Sequence, residues 1–217
     1  QGGAQTEIFD ITADQYEENR HYFLSNWFRS EYDSVMQSLP NPSTDVDVTR
    51  VEVWIINTRN DFINFRNIIG FTDIGESKNF LSGAYKSSKG PLPSGNPIQS
   101  FTVMIGNPYP DNGQNVLYQE MFNDPIVRGF DDASQQLIDA YGFIPSIHFE
   151  KVTNARKLEP TDFTFNRRLG FISLRQSLNN DEVLAVAYQY TKAGVTYQVG
   201  EFSTDGIIAP EPLYLKL

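Results

Sequence analysis

The residues in this chain with the chemistry to act on a ligand are two histidines, several pairs of carboxylates and a scatter of tyrosine and tryptophan side chains. His21 and His148 would need carboxylates such as Glu17 or Glu150 beside them to hold a metal ion. They show no ligand spacing, so a structural role is the plainer reading and no metal is expected. The adjacent acids Glu17-Glu18, Asp131-Asp132 and Asp181-Glu182 point apart, whereas cleaving a glycoside needs two carboxylates that flank a sugar from separate elements. Asp131 and Asp132 open a predicted helix, where negative charge suits the dipole. Asp181 and Glu182 open a predicted hairpin. Asp111-Asn112-Gly113-Gln114-Asn115 has the polar look of a calcium loop, but Phe122 stands where an EF-hand carries its twelfth-position acid. A type I′ turn at Asn112-Gly113 is the expectation there. No nucleophile elbow, P-loop or other Gly-rich phosphate cradle occurs. Trp54, Tyr109, Tyr118 and Tyr141 remain as a candidate interaction surface able to stack on a sugar or a peptide, set against core or turn packing as the plainer reading. No catalytic residue and no cofactor are expected.

The balance of charge narrows the partners. With 17 Lys and Arg against 27 Asp and Glu the chain carries a net charge of −10. A nucleic-acid groove needs clustered positive charge, and an anionic membrane surface attracts it, so neither partner is expected. The chain has no cysteine, which excludes a disulfide framework and a thiolate metal site. No apolar run approaches the length of a transmembrane helix, so the chain itself is not expected to enter a bilayer. A start at Gln1-Gly2-Gly3, without Met, leads us to expect a segment of a longer or processed polypeptide.

The element that would organise these residues is a long amphipathic helix from Thr12 to Leu39. Tyr16, Phe23, Leu24, Trp27, Phe28, Tyr32, Val35, Met36 and Leu39 recur mostly three or four apart and form one stripe. Thr12 and Gln15 fit a capping box, Ile11 and Tyr16 a hydrophobic staple, and Pro40 with Pro42 a stop. At 1.5 Å per residue such a helix is roughly 40 Å long. The rest reads as strands. Val48–Asn57 alternates, with Val51, Val53 and Ile55 on one face and Glu52, Trp54 and Ile56 on the other. The polar run 58–64 and the strand Asn67–Ile74 would make it a hairpin. Residues 77–115 are dense in Gly, Pro and Ser, apart from a short apolar run at Phe101–Ile105, and predict long irregular loops. A helix is expected over Asp131–Tyr141, capped by Gly142. Short strands follow at His148–Val152, Thr161–Phe165, Gly170–Leu174 and Leu213–Leu217. Asp181–Phe202 predicts a hairpin around Lys192-Ala193-Gly194, with a bulged turn. Together these predict a single α+β domain over 1–217. Mostly antiparallel β hairpins would form one mixed sheet or two small sheets, with the long N-terminal helix packed on a face.

Three blocks of this chain resemble a known family. The first is Phe9-Asp10-Ile11-Thr12-Ala13-Asp14-Gln15-Tyr16 and on through Leu24. The second is Arg50-Val51-Glu52-Val53-Trp54-Ile55-Ile56-Asn57 with Arg66–Glu76. The third is Asp162-Phe163-Thr164-Phe165-Asn166 with Leu169–Leu174 and Asp181–Tyr188. In that order they resemble the SprA/Sov family of very large outer-membrane proteins of Bacteroidetes; Ser77–Tyr109 matches least. The resemblance implies a soluble, non-enzymatic domain, periplasmic or extracellular, of an outer-membrane protein-translocation channel that serves type IX secretion and gliding motility. Its implied partners are other type IX secretion components or secreted protein substrates. The residues alone leave one rival open: a cell-surface domain that binds or cleaves glycans.

Overall fold

The computed structural model describes residues 17–38, 40–56, 65–77 and 108–217. The expected helix start at Thr12–Tyr16, the hairpin loop at 58–64 and the short strand at Phe101–Ile105 lie outside the described residues. Strand β1 is His21–Phe23, followed by helix α1, Asn26–Met36. Strands β2, Val46–Ile55, and β3, Phe65–Phe71, come next. Three short helices follow: α2, Leu117–Asn123; α3, Pro125–Arg128; and α4, Ala133–Asp139. The remainder is β: β4, Phe149–Lys157; β5, Phe163–Asn166; β6, Phe171–Leu174; β7, Leu184–Lys192; β8, Val195–Val199; and β9, Leu213–Lys216.

Five of these strands close into a barrel in the order β2-β4-β3-β9-β7, with β7 returning to β2. All neighbours are antiparallel except β3 and β9, which run parallel. The closure is staggered, as barrel geometry requires. Val53 stands opposite Val186, Val186 opposite Lys216, Phe71 opposite both Lys216 and Phe149, yet β2 meets β4 at its far end, Trp54↔Lys157. Strand β8 extends β7 along the edge that β9 leaves free. A small separate sheet has the order β1-β6-β5.

Barrel strands bury residues on both faces over much of their length, and the alternation sorts those side chains. Trp54, Ile68, Val152, Ala155, Ala185, Ala187, Leu213 and Leu215 form one cluster to which every barrel strand contributes and no helix does. That cluster is the interior of a barrel too narrow for anything but side chains, which accounts for its alanines. Val53, Ile55, Ile69, Phe71, Phe149, Val186, Tyr188 and Tyr214 face outward, where Phe28, Leu117, Met121, Val127 and Leu137 of the helices cover them. The alternation expected of Val51, Val53 and Ile55 against Glu52 and Trp54 is the one observed. Burying these outward side chains contributes roughly 1.5–3 kcal/mol each.

The expected α+β arrangement is therefore corrected. Among the described residues the chain is mostly β, 35% strand against 18% helix, and no long N-terminal helix is present. Asn19 takes a left-handed φ of 55°. Residues 21–23 extend to pair with β6 through His21↔Ser173, Tyr22↔Ile172 and Phe23↔Phe171. Helix α1 starts only at Ser25, whose hydroxyl accepts from the Phe28 N–H as an N-cap. Phe23, read as part of the buried stripe, is 38% exposed. Nor do β2 and β3 form a hairpin, because β4 stands between them. The β7–β8 turn is Ala193-Gly194, with φ of 49° and 78° between the pair Lys192↔Val195. That is a two-residue type I′ turn rather than a bulged one. The type I′ turn expected at Asn112-Gly113 is absent, since neither residue has positive φ. Asp111 makes that turn instead, its carboxylate accepting from Gly113 N–H at 2.8 Å and its carbonyl from Gln114 N–H at 2.8 Å. Gly142, at φ 66°, does close α4 as expected.

Candidate functional site

Where the small sheet leans on the barrel, a cleft of about 800 Å³ opens. Its floor is apolar, built from Leu24, Ile172, Leu184 and Val186. Its rim is polar, with Asn19, Asn179 and Asn180 on one side and Asn26 with Arg29 on the other. The non-local pairing of β1 with β6 creates the rim. Leu178 N–H donates to the Asn19 carbonyl at 3.0 Å, and Asn19 Nδ2 donates to Asn180 Oδ1 at 3.2 Å. Asn179 N–H donates to Glu182 Oε2 at 2.9 Å, which fixes the turn that carries both exposed asparagines.

The ends of the cleft are charged. His21 shares one ring nitrogen with Ser173 Oγ at 2.8 Å and the other with Glu17 Oε2 at 2.7 Å. The hydrogen bond from His21, with Arg20 nearby, holds the Glu17 carboxyl below its usual range. Deeper in, Lys216 is buried; its ammonium donates to the Thr72 carbonyl and lies 3.4 Å from Glu76. Glu76 also accepts from Asn26 N–H at 3.0 Å, so a buried ion pair anchors the start of α1 to the end of the barrel. In the wall of the cleft, Phe23 packs edge-on against Tyr32 and Phe171 and leaves part of its ring in solvent.

None of the four aromatics singled out from the sequence lines this cleft, and they are not brought together. Trp54 is buried inside the barrel, 1% exposed. Tyr109 packs edge-on between Trp27 and Tyr197. The Tyr118 hydroxyl donates to Glu201 at 3.1 Å, and that of Tyr141 to Asp124 at 2.8 Å. Burial, then the neighbouring carboxylate, pushes both phenols well up, so they stay protonated donors. Burial works to raise Asp124, but Gln136, Tyr141 and the Val127 and Ile126 N–H groups outweigh it and leave that carboxyl depressed. The asparagine rim escaped sequence reasoning because Asn179-Asn180 reads as an ordinary turn. Nothing local to Asn19 announces that it faces them across the chain.

His21 and His148 are not brought together as a ligand set, and no group of three or more His, Asp or Glu among the described residues is placed to hold a metal ion. His148 is buried, its Nδ1 accepting from Ile144 N–H at 3.1 Å, and burial lowers its pKa. No helix among the described residues is long and apolar enough to cross a membrane. No protein-family model matches the chain, and no curated protein matches it either.

Proposed function

We propose that this chain is a non-enzymatic docking domain whose asparagine-rimmed cleft takes an extended polypeptide segment. The setting is the one implied by the SprA/Sov resemblance: a protein-translocation channel of the outer membrane, with a partner subunit or a passing secreted protein as the source of the segment. The cleft's construction carries this reading. An asparagine amide presents a donor and an acceptor side by side, the same pair that each peptide unit presents. Asn179 sets such a pair above an apolar floor that suits side chains, and the hydrogen bond between Asn19 and Asn180 leaves the Asn19 Oδ1 and the Asn180 Nδ2 to complete another. The glycan reading draws less from the geometry. The aromatics are dispersed, and hydrogen bonds and neighbouring cations hold the carboxyls of Glu17, Asp45, Glu52 and Asp124 below their usual range. A glycosidase acid needs the opposite shift.

The test is made in the full-length protein in a gliding host. The segment is deleted in frame, or Asn179 and Asn180 are both changed to Ala, and the membrane part is checked for normal arrival in the outer membrane. Export of a reporter carrying a type IX signal is then measured. Export reduced by both changes supports docking through the cleft. Export unchanged by the deletion overturns the reading.

A further inference from the structure

The inward face of the barrel ends in a charged pocket that the docking role leaves unused. Glu52 and Trp54 stand on that face opposite Ala187 and Ala185, Lys157 stands opposite Trp54, and Arg66 opposite Ala155. All four line a cavity of about 650 Å³ at the place where β2 parts from β4, and Phe65 and Phe163 form apolar parts of its wall. Among the described residues three cations, Arg50, Arg66 and Lys157, share this cavity with two carboxylates, Glu52 and the exposed Glu159. In a chain of net charge −10, that is a local surplus of positive charge.

The cations are not equally occupied. Glu52, almost fully buried, binds Arg50 at 2.7 Å and Lys157 at 2.8 Å, and accepts from Ser203 N–H at 2.9 Å. Arg66 meets no carboxylate among the described residues. Its Nη2 donates to the carbonyls of Ile207 at 2.9 Å and Glu211 at 3.1 Å, while its Nε–H is buried without an acceptor. The Trp54 indole N–H is also buried without an acceptor. Buried donors are nearly always satisfied in folded proteins, so two orphans in residues that line one cavity call for a reason.

We propose that this mouth of the barrel binds an organic carboxylate with an apolar body. The Arg66 Nε–H and the Trp54 indole N–H donate to its oxygens. Lys157, with two of its three protons given to Glu52 and Ser203, keeps one for the same group. The body lies along Phe65 and Phe163. Two single N–H donors match two carboxylate oxygens, whereas a phosphate would bring more oxygens and more charge than the free donors satisfy.

The two tryptophans make the test direct, because Trp27 lies elsewhere and serves as an internal reference. Hippurate, the probe, is titrated into the isotopically labelled protein while both indole N–H resonances are followed. The Trp54 resonance is expected to shift saturably, that of Trp27 to stay, and the neutral amide of hippurate to leave both in place. By calorimetry, Trp54→Phe and Arg66→Gln each weaken binding about tenfold. Glu52→Gln frees Arg50 and Lys157 and tightens it by a similar factor, a direction that a damaged fold does not produce. No saturable Trp54 shift at millimolar hippurate overturns the proposal. So does inorganic phosphate binding as tightly as hippurate, or Glu52→Gln weakening the affinity.

Discussion

Arg128 is the clearest place to measure what holds the helical layer on the barrel. It ends α3 and reaches Glu201 with two nitrogens, at 2.6 and 2.9 Å, while also donating to the Pro212 carbonyl at 3.1 Å. Both side chains are nearly buried, and the guanidinium lies 4.3 Å from the Tyr214 ring centroid. Arg128→Met keeps the apolar stem but leaves Glu201 buried without its cation. Removing one partner of a buried pair costs about 3–5 kcal/mol. Glu201 keeps the Tyr118 hydroxyl at 3.1 Å and the Tyr214 N–H at 2.8 Å. These place the loss near the lower end, about 3 kcal/mol. For a chain of this length that is a fall in Tm of roughly 6–12 °C. The double variant Arg128→Met with Glu201→Gln removes the stranded charge and should recover to within about 1.5 kcal/mol of the parent. Urea unfolding of the four proteins in the cycle measures both numbers. A single-variant loss under about 1 kcal/mol, or a double variant no more stable than the single, would refute the claim that the pair is a desolvated electrostatic pin.

Two further outcomes follow from the backbone and from the buried imidazole. Gly170→Ala puts a Cβ about 2.1 Å from Phe28 Cδ1 at φ +61°, whereas Gly194→Ala at φ +78° meets nothing within 4 Å. The first should cost about 3 kcal/mol or more, strain and overpacking together, and the second about 1 kcal/mol; equal losses in denaturant would contradict the packing of Phe28 on that turn. His148 is held below 6.5 by burial, so beneath that pH the unfolded chain takes up a proton that the folded chain refuses. Stability should therefore be level above pH 6.5 and decline as the pH drops below it, and His148→Gln should remove that decline. Urea midpoints on either side of pH 6.5, compared for parent and variant, decide it.

How far the sequence carried the fold depends on how local each signal was. The alternation in β2, the β5–β6 pair, the β7–β8 hairpin and the Gly142 cap all arise within a few residues and were legible. The long helix failed because periodicity does not reveal a distant partner. Phe23 fits a helical stripe, yet residues 21–23 pair with β6 about 150 residues away. Barrel closure was hidden for the same reason: β4 separates two strands that read as a hairpin, and β9 joins β3 in parallel from the far end of the sequence. The aromatic set was legible as residues but not as a surface. Tryptophan on an alternating strand points inward or outward according to which face closes, and here Trp54 points in.

Strand β9 also sets the order of events during synthesis. Ile68 waits for Leu213, about 145 positions later in the chain, an interval of roughly 7–30 s at ordinary elongation rates. Until then β3 and β7 each keep an unpaired edge over part of their length, the kind of row that recruits foreign strands. Four residues at the end of the chain thus decide when those edges disappear. An agent that shields extended backbone, such as a holdase, would have its longest opportunity on this chain during that interval.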